Sequence, residues 1–223
     1  PVYALGYAWL SAAYRQRAMM GDADPHEVFA KSSEAAQKAI ALDPQLAEGY
    51  KSLAVNLTFK PDWAAAERAF RTAIQLEPDD PNIHHAFGVV LLAASAERLA
   101  EGEAELRRAV HLKPGDLGAR VVLGKILYFR GRFQEARSML EETLRIDAHY
   151  PDAMRNLASV LLQMGDYDEA VRLFEEAQRL AYLRWGDGLL GHALAVSNKE
   201  ERARTILVDL KSRYVANPVG ALA

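Results

Sequence analysis

Ala39-Ile40-Ala41-Leu42-Asp43-Pro44 opens a series of four related phrases. The others are Ala73-Ile74-Gln75-Leu76-Glu77-Pro78, Ala109-Val110-His111-Leu112-Lys113-Pro114 and Thr143-Leu144-Arg145-Ile146-Asp147-Ala148. Corresponding positions lie 34, 36 and 34 residues apart. A fixed period of this size marks a stacked array, in which each unit buries its apolar face only against its neighbours. Such a chain presents surface, so a binding module is the first expectation.

The best-kept unit runs from Ala47 to Asp80. Tyr50, Leu53, Ala54 and Leu57 fall at i, i+3, i+4 and i+7, one face of a helix, and Ala66, Phe70 and Ala73 mark the face of a second. Lys60-Pro61-Asp62 breaks the chain between them. Pro78 ends the second helix, because proline lacks a backbone donor and restrains the residue before it. The product is an αα-hairpin. The same columns recur as His84, Phe87, Gly88 and Leu91 with Leu106 and Ala109, and as Leu123, Gly124 and Leu127 with Ala136 and Leu140. Two more sets follow: Met154, Leu157, Ala158 and Leu161 with Ala170 and Phe174, then Leu190, Gly191 and Leu194 with Ala203, Leu207 and Leu210. The first unit is looser, with Leu10 and Tyr14 leading. Ala or Gly at 54, 88, 124, 158 and 191 lets paired helices approach, and Phe70, Leu140, Phe174 and Leu207 fill the remaining space. Gly131 and Gly165 supply glycine helix stops.

In these columns the chain resembles the tetratricopeptide repeat, or TPR, family over about residues 30–215. The resemblance implies an all-α, right-handed α-solenoid of about six helix-turn-helix units, with first helices lining a concave groove. The units are 1–46 (degenerate), 47–80, 81–116, 117–150, 151–183 and 184–217, with 218–223 beginning a further helix. One solenoid, 1–223, is expected. Two stretches, Asp62 to Phe70 with His84-His85 and Leu207 to Pro218, are similar to C-terminal TPR regions of bacterial signalling proteins. Their hosts are winged-helix regulators, class III adenylate cyclases and serine/threonine kinases.

Composition narrows the function. The 223 residues carry a formal charge of -3, which argues against a general affinity for nucleic acid. There are no cysteines, so disulfides, thiolate metal sites and cysteine nucleophiles are excluded, and a reducing, cytoplasmic setting is expected. No apolar run reaches the length of a membrane span.

Most apparent catalytic signals dissolve within the repeat. Gly186-Asp187-Gly188-Leu189-Leu190-Gly191 matches G-x-G-x-x-G literally, but that motif needs a preceding strand, and Gly191 sits in a packing column. His84 and His85 point about 100° apart on a helix and do not share an ion easily. Asn56-Leu57-Thr58 spells a glycosylation acceptor inside a helix. Acidic pairs such as Glu141-Glu142 and Glu175-Glu176 read as a solvated outer face. No nucleophile–base constellation, phosphate loop or cofactor site is evident, so no enzyme is expected.

The groove should be lined by Lys51 and Phe59, then His85, then Lys125, Tyr128 and Phe129, then Arg155, Asn156 and Gln163, with His192 beyond. Val55, Val121 and Ser159 belong to the same faces. Lys51, Lys125 and Arg155 would make it locally positive and suited to an acidic or C-terminal carboxylate peptide. The same side chains would equally serve as a solvated polar face. Some TPR proteins grip chaperone tails with a Lys/Asn/Arg set. Lys51 and Asn156 each match one element, but Val55, Ala86, Val121 and Val122 interrupt it.

The chain opens on Pro1 in mid-pattern and reads as an excised piece. Val2, Leu5, Trp9 and Leu10 give its first helix an uncapped apolar face, so self-association through terminal repeats is expected. Two functions remain. One is a scaffold that holds a peptide or partner helix in the groove. The alternative is a regulatory or oligomerisation array within a signalling protein.

Overall fold

A computed structural model of the protein describes residues 2–20, 24–59, 62–181 and 186–216. Among them are twelve α-helices and no strand. The helices come in pairs: α1 (Val2–Met20) with α2 (Pro25–Leu42), α3 (Ala47–Thr58) with α4 (Trp63–Leu76), and α5 (Pro81–Ala94) with α6 (Leu99–Leu112). Next come α7 (Leu117–Phe129) with α8 (Phe133–Ile146), α9 (Pro151–Met164) with α10 (Tyr167–Leu180), and α11 (Gly186–Val196) with α12 (Glu200–Ala216). A 3-10 turn, Ala96–Arg98, takes up the longer connection before α6. No helix among the described residues is long and apolar enough to cross a membrane.

The repeated phrase has a local explanation. At the ends of α2, α4, α6 and α8 the capping residues Asp43, Glu77, Lys113 and Asp147 donate their N–H to the carbonyls of Ala39, Ala73, Ala109 and Thr143. Each capping carbonyl then accepts from the residue three further on, Leu46, Asp80, Asp116 and Tyr150, at 3.0–3.3 Å. That closes a β-turn in which Pro44, Pro78 and Pro114 hold the second position, where a fixed φ suits the turn. The next helix starts at once. Pro81 and Pro151 occupy its first turn, and the Asp80 side chain accepts from Asn82 N–H at 2.7 Å.

Within three later pairs the hairpin turn is also shared. Arg132, Asp166 and Lys199 donate N–H to Leu127, Leu161 and Leu194, five residues back, at 2.9–3.0 Å. The residue before each donor is left-handed: Gly131 (φ 72°), Gly165 (φ 86°) and Asn198 (φ 61°). Glycine suits that conformation, and asparagine is among the few other residues that tolerate it.

The chain packs as two compact units, Pro1–Ala119 and Arg120–Ala223. In the first, Phe70 and Phe87 are buried and stack with ring centroids 4.9 Å apart, within a cluster that includes Ala54, Ala73, Ile83 and Leu91. Full burial of one such ring contributes about 2–3 kcal/mol. A Cβ on Gly88 would lie 2.5 Å from Leu106 Cγ. In the second unit Leu123, Leu127, Leu140, Ala158 and Phe174 are buried, and a Cβ on Gly124 would lie 2.8 Å from Leu140 Cγ. The small column is there because the facing leucine occupies the space.

Two expectations about the core need correction. On α1 the buried positions are Ala4, Ala8 and Ser11, while Leu10 is exposed and Tyr14 half-buried. The small residues let α1 lie close on α2, and the contact is polar. Ser32 Oγ lies 3.1 Å from Ser11 Oγ and 2.9 Å from Asn56 Oδ1, and Asn56 Nδ2 donates to Ser11 Oγ at 3.1 Å. Arg15 adds a donor to Asn56 Oδ1 at 3.1 Å, and burial pushes its guanidinium below its ordinary pKa. Asn56 is only 2% exposed, so it is a core residue and no acceptor for a sugar.

On α12 the column residue Leu207 is 49% exposed and Val208 is exposed too. The equivalent Phe70 is covered by the next pair's Phe87, whereas among the described residues no later helix covers Leu207. The further helix expected at 218–223 lies outside the described residues.

Candidate functional site

In the first unit the groove candidates are already engaged. Lys51 is half-buried with Nζ 2.5 Å from Glu48 Oε2, one turn back on α3. Phe59, at the end of α3, stacks on Phe29 of α2 with centroids 4.1 Å apart. His85 is half-buried, its Nδ1 3.7 Å from Asp116 Oδ2, and desolvation pushes its imidazole below the ordinary pKa. Its neighbour His84 is buried between two acceptors, the Glu105 carboxylate at 2.6 Å and the Pro78 carbonyl at 2.9 Å. The hydrogen bond to Glu105 raises the His84 pKa against the opposing effect of burial. His84 is thus a clamp between α5, α6 and the turn before α5. Among the described residues no group of three or more His, Asp or Glu side chains could hold a metal ion.

The second unit holds a hollow of about 300 Å³ lined by Gly124, Lys125, Tyr128, Phe129, Arg155, Asn156, Ser159 and Leu189. Its outer edge is aromatic. Phe129 is 55% exposed and packs edge-on to Tyr128, with centroids 5.3 Å apart, while Tyr128 in turn meets Phe133. Its inner wall is polar. Arg155 is buried, ion-paired with Asp152, and lies 3.5 Å from the Ala181 carbonyl that follows α10. Asn156 Nδ2 donates to the Asp152 carbonyl at 2.7 Å, which leaves the amide oxygen and a second N–H turned to other use. Ser159 donates to the Arg155 carbonyl at 3.0 Å and keeps acceptor capacity. Lys125 is exposed, and among the described residues no acidic side chain lines the hollow.

Five expected site residues therefore meet: Lys125, Tyr128, Phe129, Arg155 and Asn156, joined by Ser159. Gln163 is exposed on α9 outside the hollow. His192 is exposed and lines a separate hollow between α11 and α12, of about 350 Å³, with Gly188, Gly191, Ala195 and Leu207. The glycine-rich match at Gly186–Gly191 is simply the start of α11. Asp187 there is buried and accepts from Gln178 and, at 2.6 Å, from Arg213. The acidic residues of the second helices are spent in surface ion pairs, Glu141 with Arg137 at 2.7 Å and Glu176 with Arg172 at 3.3 Å.

Leu189 was missed as a wall of the hollow, because it lies a residue before the packing column at Leu190. The sequence also carries a signal for the partners of Lys51 and Arg155. Glu48 and Asp152 each precede their base by three residues, a spacing that brings side chains together on a helix.

Tetratricopeptide repeat family models match residues 61–116 and 127–182. The chain belongs to the tetratricopeptide repeat family. Among similar proteins, the type IV pilus assembly protein PilF of Pseudomonas aeruginosa is 30% identical over 138 residues, which are 60% of this chain and 53% of that protein. The BBSome complex member BBS4 of Bos taurus is 26% identical over 134 residues, 60% of this chain and 25% of that protein. The chain thus spans about half or less of the length of these relatives. The crystal structure of PilW, a type IV pilus biogenesis factor, superposes with a TM-score of 0.76 at 20% identity, covering 92% of this chain and 93% of PilW. The fold of the described residues is the all-α TPR array, the architecture of a protein–protein interaction module.

Proposed function

We propose that the protein binds a peptide segment of a partner on the first-helix faces of its repeats, chiefly in the hollow bounded by Lys125, Phe129 and Asn156. The observation that carries this is the meeting of three unlike capacities in one concave place: an exposed aromatic edge, an exposed cation and unsaturated amide and hydroxyl groups. Pockets that orient a ligand combine apolar walls with a few placed polar groups. PilF and BBS4 are named for an assembly process and a complex, and a role for this chain within a larger multiprotein assembly follows the same line. Lys51 and Arg155 contribute less positive charge to a ligand than their residue types suggest, because each has an acid beside it.

The test uses two surface variants that leave the core alone, Lys125→Glu and Phe129→Ala. A random dodecapeptide display library is selected on immobilised wild-type protein, and recovered peptides are re-bound to both variants. The reading predicts peptides that bind wild type and lose binding to each variant. Recovery of peptides indifferent to both changes would place recognition elsewhere.

A further inference from the structure

The first helix exposes a face that other first helices bury. The buried column of α1, Ala4, Ala8 and Ser11, aligns with His84, Gly88 and Leu91 of α5. In that register Tyr3, Gly6, Tyr7 and Leu10 stand where α5 has Ile83, Ala86, Phe87 and Val90. Those four α5 residues belong to the cluster that α5 forms with α4, and Phe87 stacks on Phe70 there. Other first helices keep the register. At the position of Tyr3 stand Gly49, Ala153 and Gly186, all buried. A Cβ on Gly49 would lie 3.0 Å from Ile40 of α2, and one on Gly186 would lie 2.6 Å from Gln178 of α10. At the position of Leu10 stand Asn56, Val160 and Ala193, again buried. This is the face by which a first helix seats on the pair before it. Among the described residues α1 has no pair before it. Tyr3 is 79% exposed, Leu10 is 41% exposed, and a hollow of about 400 Å³ runs along Tyr3, Gly6, Tyr7 and Leu10.

The last pair carries the opposite half of the same contact. Phe70, Leu106, Leu140 and Phe174 are buried in the second-helix column, whereas Leu207 in that column is exposed. Leu207 lines the hollow of about 350 Å³ between α11 and α12, whose walls include the small residues Gly191, Ala195 and Ala203. Two charged residues at this hollow, Glu200 and Arg204, pair with each other at 3.5 Å. The helix α1 carries no charged residue before Arg15. Bringing the two faces together therefore buries apolar surface without stranding an ion. We propose that the two ends bind each other between copies of this chain: α1 of one copy seats in the α11–α12 groove of the next. Tyr3, Tyr7 and Leu10 then take the places of Ile83, Phe87 and Val90, and Leu207 takes that of Phe70. The contact is heterologous, since its two faces differ, so each added copy leaves a face free for another. A two-fold dimer would pair α1 with α1 or α12 with α12, and neither pairing matches the seating of α5 on α4.

Two variants test this, Leu10→Asp on one face and Leu207→Asp on the other, both at exposed positions outside the core. Sedimentation velocity across a concentration series should show wild type growing beyond two chains and each variant alone remaining a single chain. An equimolar mixture of the variants should double in mass and go no further, because only one intact α1 face and one intact α12 face can meet. Circular dichroism at 222 nm with an unchanged unfolding midpoint establishes that both variants are folded. Dimers of Leu10→Asp alone or of Leu207→Asp alone would reveal pairing through the untouched end and overturn the head-to-tail contact. Folded variants that stay apart when mixed would overturn it as well. A wild type that remains monomeric throughout, or that associates only after residues 217–223 are removed, would refute the proposal, the second result assigning the α12 face to that segment.

Discussion

Replacing Gly88 by alanine tests whether the small column is set by the facing leucine. In an exposed helix interior the change gains about 1 kcal/mol, because alanine loses less backbone entropy. At Gly88 the new methyl would stand 2.5 Å from Leu106 Cγ and 3.1 Å from both Leu106 methyls. The nearest atom is the branch point of a fully buried leucine, not a swinging end, so either α5 and α6 must separate or Leu106 must leave its rotamer. Overpacking of this kind costs about 1–3 kcal/mol. The sum predicts a net loss of up to about 2 kcal/mol for Gly88→Ala, and a deficit of about 1–3 kcal/mol relative to an unhindered Gly→Ala change. Gly6 is the control. It lies in α1 with nothing within 4 Å of its notional Cβ, so Gly6→Ala should be neutral or stabilising. Chemical denaturation followed by circular dichroism at 222 nm measures both variants under one set of conditions. A Gly88→Ala protein as stable as Gly6→Ala would refute the packing argument.

Other expected outcomes concern single side chains. His84 has its pKa raised in the folded state, so its clamp contributes fully below the ordinary imidazole value and is lost as pH rises through the raised one. His84→Gln should therefore destabilise more at about pH 6 than at about pH 9, read from unfolding midpoints at each pH. Arg155→Ala removes a buried anchor of the α10 end and should lower stability by about 1–2 kcal/mol, whereas Lys125→Glu should leave it within about 0.5 kcal/mol in the same denaturation assay. Asn198→Gly relieves a left-handed residue and should raise the midpoint by an amount equivalent to about 0.5 kcal/mol. The exposed Trp9 and Leu207 faces predict association that strengthens with concentration, and light scattering across a dilution series would show a strict monomer if they play no such part.

Much of the fold was legible because the repeat reports the same geometry several times. Leu127, Leu161 and Leu194 sit in one column and their carbonyls close the same turn. The phrases ending at Pro44, Pro78 and Pro114 mark one capping turn. Where the period weakens, legibility fails. In α1 the column suggested by Leu10 and Tyr14 is not the core; Ala4, Ala8 and Ser11 fill it, because a polar cluster with Ser32 and Asn56 replaces the usual leucine packing.

The site was legible by phase and illegible by charge state. Positions on the first helices placed Lys125, Tyr128, Phe129 and Asn156 on neighbouring faces, and they do line one hollow. Nothing in the period told an exposed Lys125 from an Arg155 that is buried and paired. That distinction depends on the α10 end reaching Arg155 through the Ala181 carbonyl, a contact set by packing and not by spacing.

Whether the second unit's hollow is the binding surface is decided by an NMR titration of the full chain with a Lys125-dependent dodecapeptide from the selection. Binding there shifts amides at Lys125, Tyr128, Phe129, Asn156 and Ser159 and leaves the Leu207 and Trp9 faces unmoved. Shifts confined to α1 or α12, with the α7 and α9 amides still, would contradict it.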